Sequence, residues 1–144
     1  MVEIPIKVKR GDFKTLQTKL DKKLTSLKGD DFVNDETGIK ASLASRGIGE
    51  IISNVKRSVE NGFTFNEHFA VAMDLQNIFK NAHFLEKSKD IKHNDLNVSI
   101  YRFSSRILLD AKKANAILTL KEWRENGKKL YALKLENLKE NKES

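Results

Sequence analysis

Ala114-Asn115-Ala116-Ile117-Leu118-Thr119-Leu120-Lys121-Glu122-Trp123 runs into Asn126-Gly127 and then into Lys129-Leu130-Tyr131-Ala132-Leu133-Lys134-Leu135-Glu136-Asn137-Leu138. In the first run Ala114, Ala116, Leu118 and Leu120 alternate with their neighbours, and in the second Tyr131, Leu133 and Leu135 do the same. A period of two is that of a half-buried strand. Asn-Gly between two such runs supplies the positive-φ residues that a tight hairpin turn prefers. Val98 to Leu109 reads as a third strand immediately upstream, so the last third of the chain is expected to form a three-strand meander.

Working back from the meander, the period changes to that of helices. Thr64-Phe65-Asn66-Glu67 fits a capping box and starts a helix at Phe65, on which His68, Ala72, Leu75, Phe79 and Ala82 share one face. Ile48, Ile51, Ile52, Val55 and Val59 mark an earlier helix that stops near Asn61-Gly62. Residues 31–43 read as a hairpin around Gly38. Phe13, Leu16, Leu20, Leu24 and Leu27 define the first helix, with Asp12 as N-cap and Gly29 as stop. Val2 to Lys9 alternates as a strand does, and Pro5 argues for an edge position or a strand start. Residues 83–86 suggest a short strand, residues 87–97 a polar loop, and residues 137–144 a frayed tail. The expected class is α+β, with helices packed on one face of a mostly antiparallel sheet that ends in the meander. The 144 residues make one domain. It divides into a strand and basic helix at 1–30, the hairpin, two helices and meander at 31–136, and the tail.

The formal net charge is +7, and it is uneven. Residues 1–30 hold eight Lys/Arg against four Asp/Glu and residues 111–144 nine against five, while the middle is nearly neutral. Such ends suit a polyanion if the fold brings them together; a Lys-rich surface that only keeps the chain soluble is the plain alternative. The absence of Cys removes thiol catalysis, Cys-ligated zinc and iron–sulfur chemistry. With three His, a multi-His metal site is nearly excluded, so no metal or cofactor is expected. No apolar run approaches a membrane span and the N-terminal residues lack the order of a signal peptide, so a cytoplasmic location without membrane contact is expected.

No GxSxG elbow, Gly-rich phosphate loop, HExxH or dinucleotide fingerprint is present. Arg46-Gly47-Ile48-Gly49 at a helix start would offer backbone donors to a phosphate, but a tight entry turn accounts for the same glycines. Acid–base chemistry therefore falls to His, or to Lys and Arg acting on a phosphate. His68 sits in the first turn of a helix, where the dipole and burial would keep its ring neutral and able to act as a base; a core-edge histidine with a satisfied hydrogen bond is the simpler reading. His83 and His93 read as surface residues. Arg102, Arg106, Thr119 and Lys121 would project from the meander, with Lys40 and Ser42 on the neighbouring hairpin. Such a face, with one base nearby, is what cleavage of RNA through its 2′-OH requires, and it equally describes the polar outer face of any antiparallel sheet.

The run from Phe32 to Leu43 with Arg46-Gly47-Ile48-Gly49 and Ile52-Ser53, then residues 77–82, Ile100-Tyr101-Arg102-Phe103 and residues 118–122, resembles a phage and mobile-element domain of the large polyvalent protein-associated type. The resemblance covers roughly residues 30–136. Such domains lie near the barnase, EndoU, colicin and RelE-like nucleases. The resemblance implies a metal-independent endoribonuclease, a toxin or phage effector acting on RNA, with His68 and Arg102 as catalytic residues and Lys40, Ser42, Thr119 and Lys121 binding substrate. No Glu is placed in sequence to stand in for the Glu base of barnase. The alternative is a non-catalytic nucleic-acid-binding module, or a protein-interaction module for an acidic antitoxin or phage protein.

Overall fold

The Asn126-Gly127 turn closes as its residues dictate, with φ of 52° and 79°. A second two-residue turn, in which Asp110 takes φ 54°, joins the preceding pair of strands. Between them these turns set the register of the sheet. The computed structural model describes residues 3–90 and 95–141. In chain order the elements are β1 (Ile4–Ile6), α1 (Phe13–Ser26), β2 (Phe32–Val33), β3 (Lys40–Ala41), α2 (Ser45–Ser53), α3 (Val55–Glu60), α4 (Phe65–Met73), α5 (Leu75–Lys80), β4 (His83–Asp90), β5 (Asp95–Leu109), β6 (Lys112–Glu125) and β7 (Lys128–Glu140).

The fold is α+β. Strands β5, β6 and β7 form the antiparallel meander, and β4 pairs antiparallel with the first half of β5. β1 lies parallel to the end of β5, Pro5 opposite Leu108, so the otherwise antiparallel sheet has one parallel edge. β2 and β3 make a separate small hairpin, which reaches the sheet through the Ser42–Ala132 bridge. One face of the sheet, carrying Phe103, Ile107, Ala116, Leu118, Leu120, Leu133 and Leu135, is buried in a single core with Leu20, Leu24, Ile51, Phe69, Leu75 and Phe79 from the helices. Phe103 sits edge-on between Phe79 and Phe84, with ring centroids 5.3 and 5.6 Å away. Among the described residues no helix contributes a buried apolar side chain to the opposite face, which Glu50 of α2 and Arg57 of α3 reach only at its β7 end, through Lys134 and Glu136.

Local signals explain most boundaries. Asp12 accepts from the Thr15 amide at the start of α1, and Thr64 and Glu67 complete the expected capping box at α4. Several expectations are corrected. The helix over 48–59 is broken at Asn54, whose side-chain amide donates instead to the Leu135 carbonyl at 2.9 Å. The helix from Phe65 is likewise broken at Asp74, although its residues 68, 72, 75, 79 and 82 all stay buried. Residues 87–90 and 95–97 are strand rather than polar loop, while 91–94, with His93, lie outside the described residues. β7 continues to Glu140 with Leu138 fully buried, so pairing persists beyond residue 137 where fraying was expected. Among the described residues, no helix is long and apolar enough to cross a membrane.

Beyond the Ser42 bridge, the outer edge of β7 is closed by helix side chains rather than by another strand. Asn54 and Asn61 donate to the Leu135 and Leu138 carbonyls, and Ser58 Oγ accepts from the Leu138 amide. These bonds satisfy backbone groups that an open edge would leave unpaired. They also fix how far α2 and α3 approach the helix-free face.

Candidate nucleic-acid interface

Residues directly opposite in an antiparallel ladder share a face. The ladder puts Glu86 opposite Arg102, Arg102 opposite Thr119, and Thr119 opposite Lys134. This row crosses four strands on the helix-free face. Two residues along, Lys121 lies opposite Ile100 and Ala132, and Ser42 bridges Ala132. Arg102, Thr119, Lys121 and Ser42, singled out in the sequence for their chemistry, therefore fall in two adjacent rows. Lys40 is exposed in β3, two residues before Ser42.

Charges in the row are paired. Arg102 Nη1 lies 3.2 Å from Glu86 Oε1, with both side chains at least half exposed. At the other end Thr119 Oγ1 donates to Glu136 at 3.0 Å, and Glu136 also receives Lys134 at 3.3 Å and Arg57 of α3. A bulge between Ile117 and Leu118 leaves Glu136 out of the ladder, which is how β7 escapes strict alternation beyond Leu135. Lys134 Nζ lies 2.6 Å from Glu50 of α2. Burial works against the Lys134 ammonium, but Glu50 and Glu136 outweigh it and hold its pKa above the ordinary value; Lys134 in turn holds Glu50 below its own. This end of the row is a tied ion network anchoring α2 and α3 to the sheet. The Arg102 end is open to solvent, and an exposed ion pair of this kind is worth about 0–1 kcal/mol, little enough for an incoming phosphate to replace Glu86.

His68 lies elsewhere. It is fully buried on the helix side of the sheet, with Nε2 donating to the Ile51 carbonyl at 2.8 Å and Nδ1 accepting from Ser58 Oγ at 2.7 Å. The carbonyl can only accept, so the proton sits on Nε2, and the Ser58 hydroxyl, itself accepting from the Leu138 amide, must donate to Nδ1. Burial lowers the His68 pKa to about 4, with the Ile51 carbonyl opposing part of the shift. Both ring nitrogens are spent on joining α2, α3, α4 and β7. The ring shares no surface with Arg102 and has no path to a substrate lying on the helix-free face.

On the helix side of β6, immediately after Lys121, Glu122 forms a second polar cluster. Tyr101 Oη donates to Glu122 at 2.7 Å, Tyr131 also hydrogen-bonds it, and Lys87 stands 3.8 Å away and over the Tyr101 ring. Burial pushes the Glu122 carboxyl up, yet the two phenols, Lys87 and Lys129 together bring it below its usual value. Burial and the Glu122 carboxylate push Tyr101 up to about 12 and Tyr131 higher still, so both phenols stay protonated as donors. The cluster is internally satisfied and ties β4, β5, β6 and β7 together.

Glu86, Lys134 and Glu136 join the row without having stood out in the sequence. A signal for Lys134 was present: a two-residue turn at Asn126-Gly127 puts Thr119 opposite Lys134 by counting back from it. Glu86 and Glu136 carried none, because each lies beside a bulge that counting cannot foresee. The two basic segments do not merge into one patch either. α1 and its lysines belong to the helix layer, packed on α2 and α4, whereas Lys113, Lys121 and Lys128 lie across the sheet from it.

No curated protein and no solved structure matches the chain. A family model, large polyvalent protein-associated domain 3, matches residues 11–131, which takes in the basic first helix as well as the hairpin, the remaining helices and most of the meander. The chain belongs to this family of phage-associated polyvalent-protein domains.

Proposed function

We propose that this domain binds RNA across the helix-free face of its sheet, with the phosphate backbone running over the exposed Arg102 and Lys121; Thr119, expected from the sequence to bind substrate, is buried and donates to Glu136 instead. The observation that carries this reading is the alignment of two exposed cations, Arg102 and Lys121, in neighbouring cross-strand rows, with the buried Thr119 opposite Arg102. Guanidinium and ammonium groups neutralise phosphates, and the counterions released make such binding fall steeply with salt.

One contact favours a second reading, metal-independent cleavage. The Glu86–Arg102 pair sets a carboxylate beside a guanidinium on the open face, the pairing that 2′-OH transesterification uses. In that step Glu86 takes the 2′-OH proton and the 2′-oxygen attacks phosphorus. Arg102 and Lys121 carry the added negative charge, and the 5′-oxygen leaves with a proton from water, yielding a 2′,3′-cyclic phosphate. Under this reading the base is Glu86, since His68 is sealed in the core.

Titration of labelled RNA at increasing salt tests the binding reading. Affinity should drop about tenfold over a rise of about fourfold in salt, as two phosphate contacts imply, and Arg102→Ala with Lys121→Ala should flatten that slope; salt-insensitive binding, or none, overturns the proposal. Incubation of total RNA in EDTA with wild type and Glu86→Gln decides between the readings. Cyclic-phosphate ends made by wild type and lost in the variant establish cleavage, and intact RNA leaves binding alone.

A further inference from the structure

Four residues beyond Thr119 on β6, the same alternation brings Trp123 onto the helix-free face, opposite Leu130 of β7. Leu130 is 36% exposed and Trp123 is partly so, and among the described residues no other aromatic ring meets the indole. Lys121 lies between Trp123 and the Arg102–Thr119 row, and Lys128 lies beyond it, opposite Glu125. A flat apolar ring flanked by cations is the combination that proteins use to hold unpaired bases: the cations follow the backbone and the ring stacks on a base without regard to its identity. At about 3.4 Å per residue the Thr119 row and Trp123 are about 14 Å apart along the strands, a span that an extended single strand covers in about two nucleotides. A duplex keeps its bases stacked on one another and offers such a ring nothing to cover.

We infer that the helix-free face takes single-stranded rather than duplex RNA, one unpaired base stacking on Trp123 while the phosphate about two nucleotides away sits on Arg102. The inference rests on the RNA-binding reading and adds the strandedness and the position of the base.

Trp123 is the chain's one tryptophan, so its emission reports on this spot alone. The protein is titrated with a short poly(U) oligonucleotide, with a duplex RNA of the same length, and with inorganic polyphosphate, each binding followed independently by the anisotropy of a label or by calorimetry. Quenching of Trp123 by the single strand, without quenching by duplex or polyphosphate, is the expected result. Trp123→Ala should weaken the oligonucleotide about tenfold or more, as loss of one stacked base does, and Trp123→Phe, which keeps a ring, by less than about threefold. Affinity for polyphosphate should be the same in all three proteins, and circular dichroism of each variant should superimpose on wild type. Oligonucleotide binding with unchanged emission and an unaffected Trp123→Ala overturns the stacking while leaving the RNA-binding reading in place. Failure of the oligonucleotide and duplex to bind at all overturns both.

Discussion

Acidification should destabilise this protein through His68. In the folded chain the ring is fully buried and its pKa is about 4, whereas in the unfolded chain it returns to the ordinary 6.5. The unfolded state therefore binds the proton first. Stability is undiminished above the unfolded value, falls as pH drops from 6.5 towards 4, and this contribution is lost in full below that. The depression corresponds to about 3 kcal/mol at about 1.36 kcal/mol per unit. That is a large part of the roughly 5–15 kcal/mol that holds a domain folded. The assay is urea unfolding followed by circular dichroism at pH 7.5, 6, 5 and 4, in wild type and in His68→Gln. At pH 7.5 the variant should be less stable by about 1–3 kcal/mol, because Ser58 and the Ile51 carbonyl lose well-placed partners. As pH falls the two proteins should converge, since the variant has no imidazole to charge. Glu36, Glu50 and Glu122, whose pKa values are all lowered by folding, contribute stability that is lost only as pH drops below the ordinary carboxylate range. Their loss is common to both proteins and cancels in the difference. A wild type whose stability is flat from pH 6.5 to 4, or a variant with the same slope, would refute the assignment of His68 as a neutral core residue.

Three further outcomes follow from packing, turn geometry and charge. Asn34 is fully buried, its amide donating to the Phe79 and Ala82 carbonyls and its oxygen accepting from Thr37, so Asn34→Ala should cost about 2–4 kcal/mol in urea unfolding by orphaning the end of α5; a loss below about 1 kcal/mol would count against it. Gly127 has φ +79°, and a methyl added there would meet nothing within 4 Å, so Gly127→Ala should cost about 1 kcal/mol from backbone strain alone, and a neutral result would show that the turn can adopt another form. Glu122→Gln removes the charge that opposes phenolate formation at the chain's two tyrosines, so their absorbance titration should move to lower pH; an unmoved titration would separate Glu122 from both rings.

What could be read from residue order was whatever a short-range rule controls. The capping box at Thr64, the turn at Asn126-Gly127 and the alternation of β6 and β7 each depend on neighbours within a few positions. β4 shows only its first residues in the sequence because it is an edge strand with Glu86, Lys87, Ser88 and Lys89 all exposed, and a strand wet on both faces has no apolar period. The breaks at Asn54 and Asp74 were hidden for the opposite reason: the buried faces of the paired helices continue across each break, so the periodicity runs on while the backbone does not. The apolar stripe of its helix reveals the burial of His68, but the partner that fixes its proton, Ser58, is itself held by the Leu138 amide 80 positions along the chain. No local pattern reports a contact of that reach, and it is this contact that turns a candidate base into a core residue.

The charge of the last third of the chain takes its meaning from strand parity. Lys121 and Glu122 are neighbours in sequence and lie on opposite faces of β6, one beside Arg102 and Thr119, the other under two phenols. A slip of one residue would exchange every such pair, pressing Lys121 into the core and turning Glu122 towards the proposed RNA face. The register that prevents this is set at one end by Asn126-Gly127 and at the other by the bulge beside Ile117, which also frees Glu136 to receive Thr119 and Arg57. The proposed interface is therefore no separate patch added to a finished fold. Its basic character depends on the same turn and bulge that align the hydrophobic side of the meander.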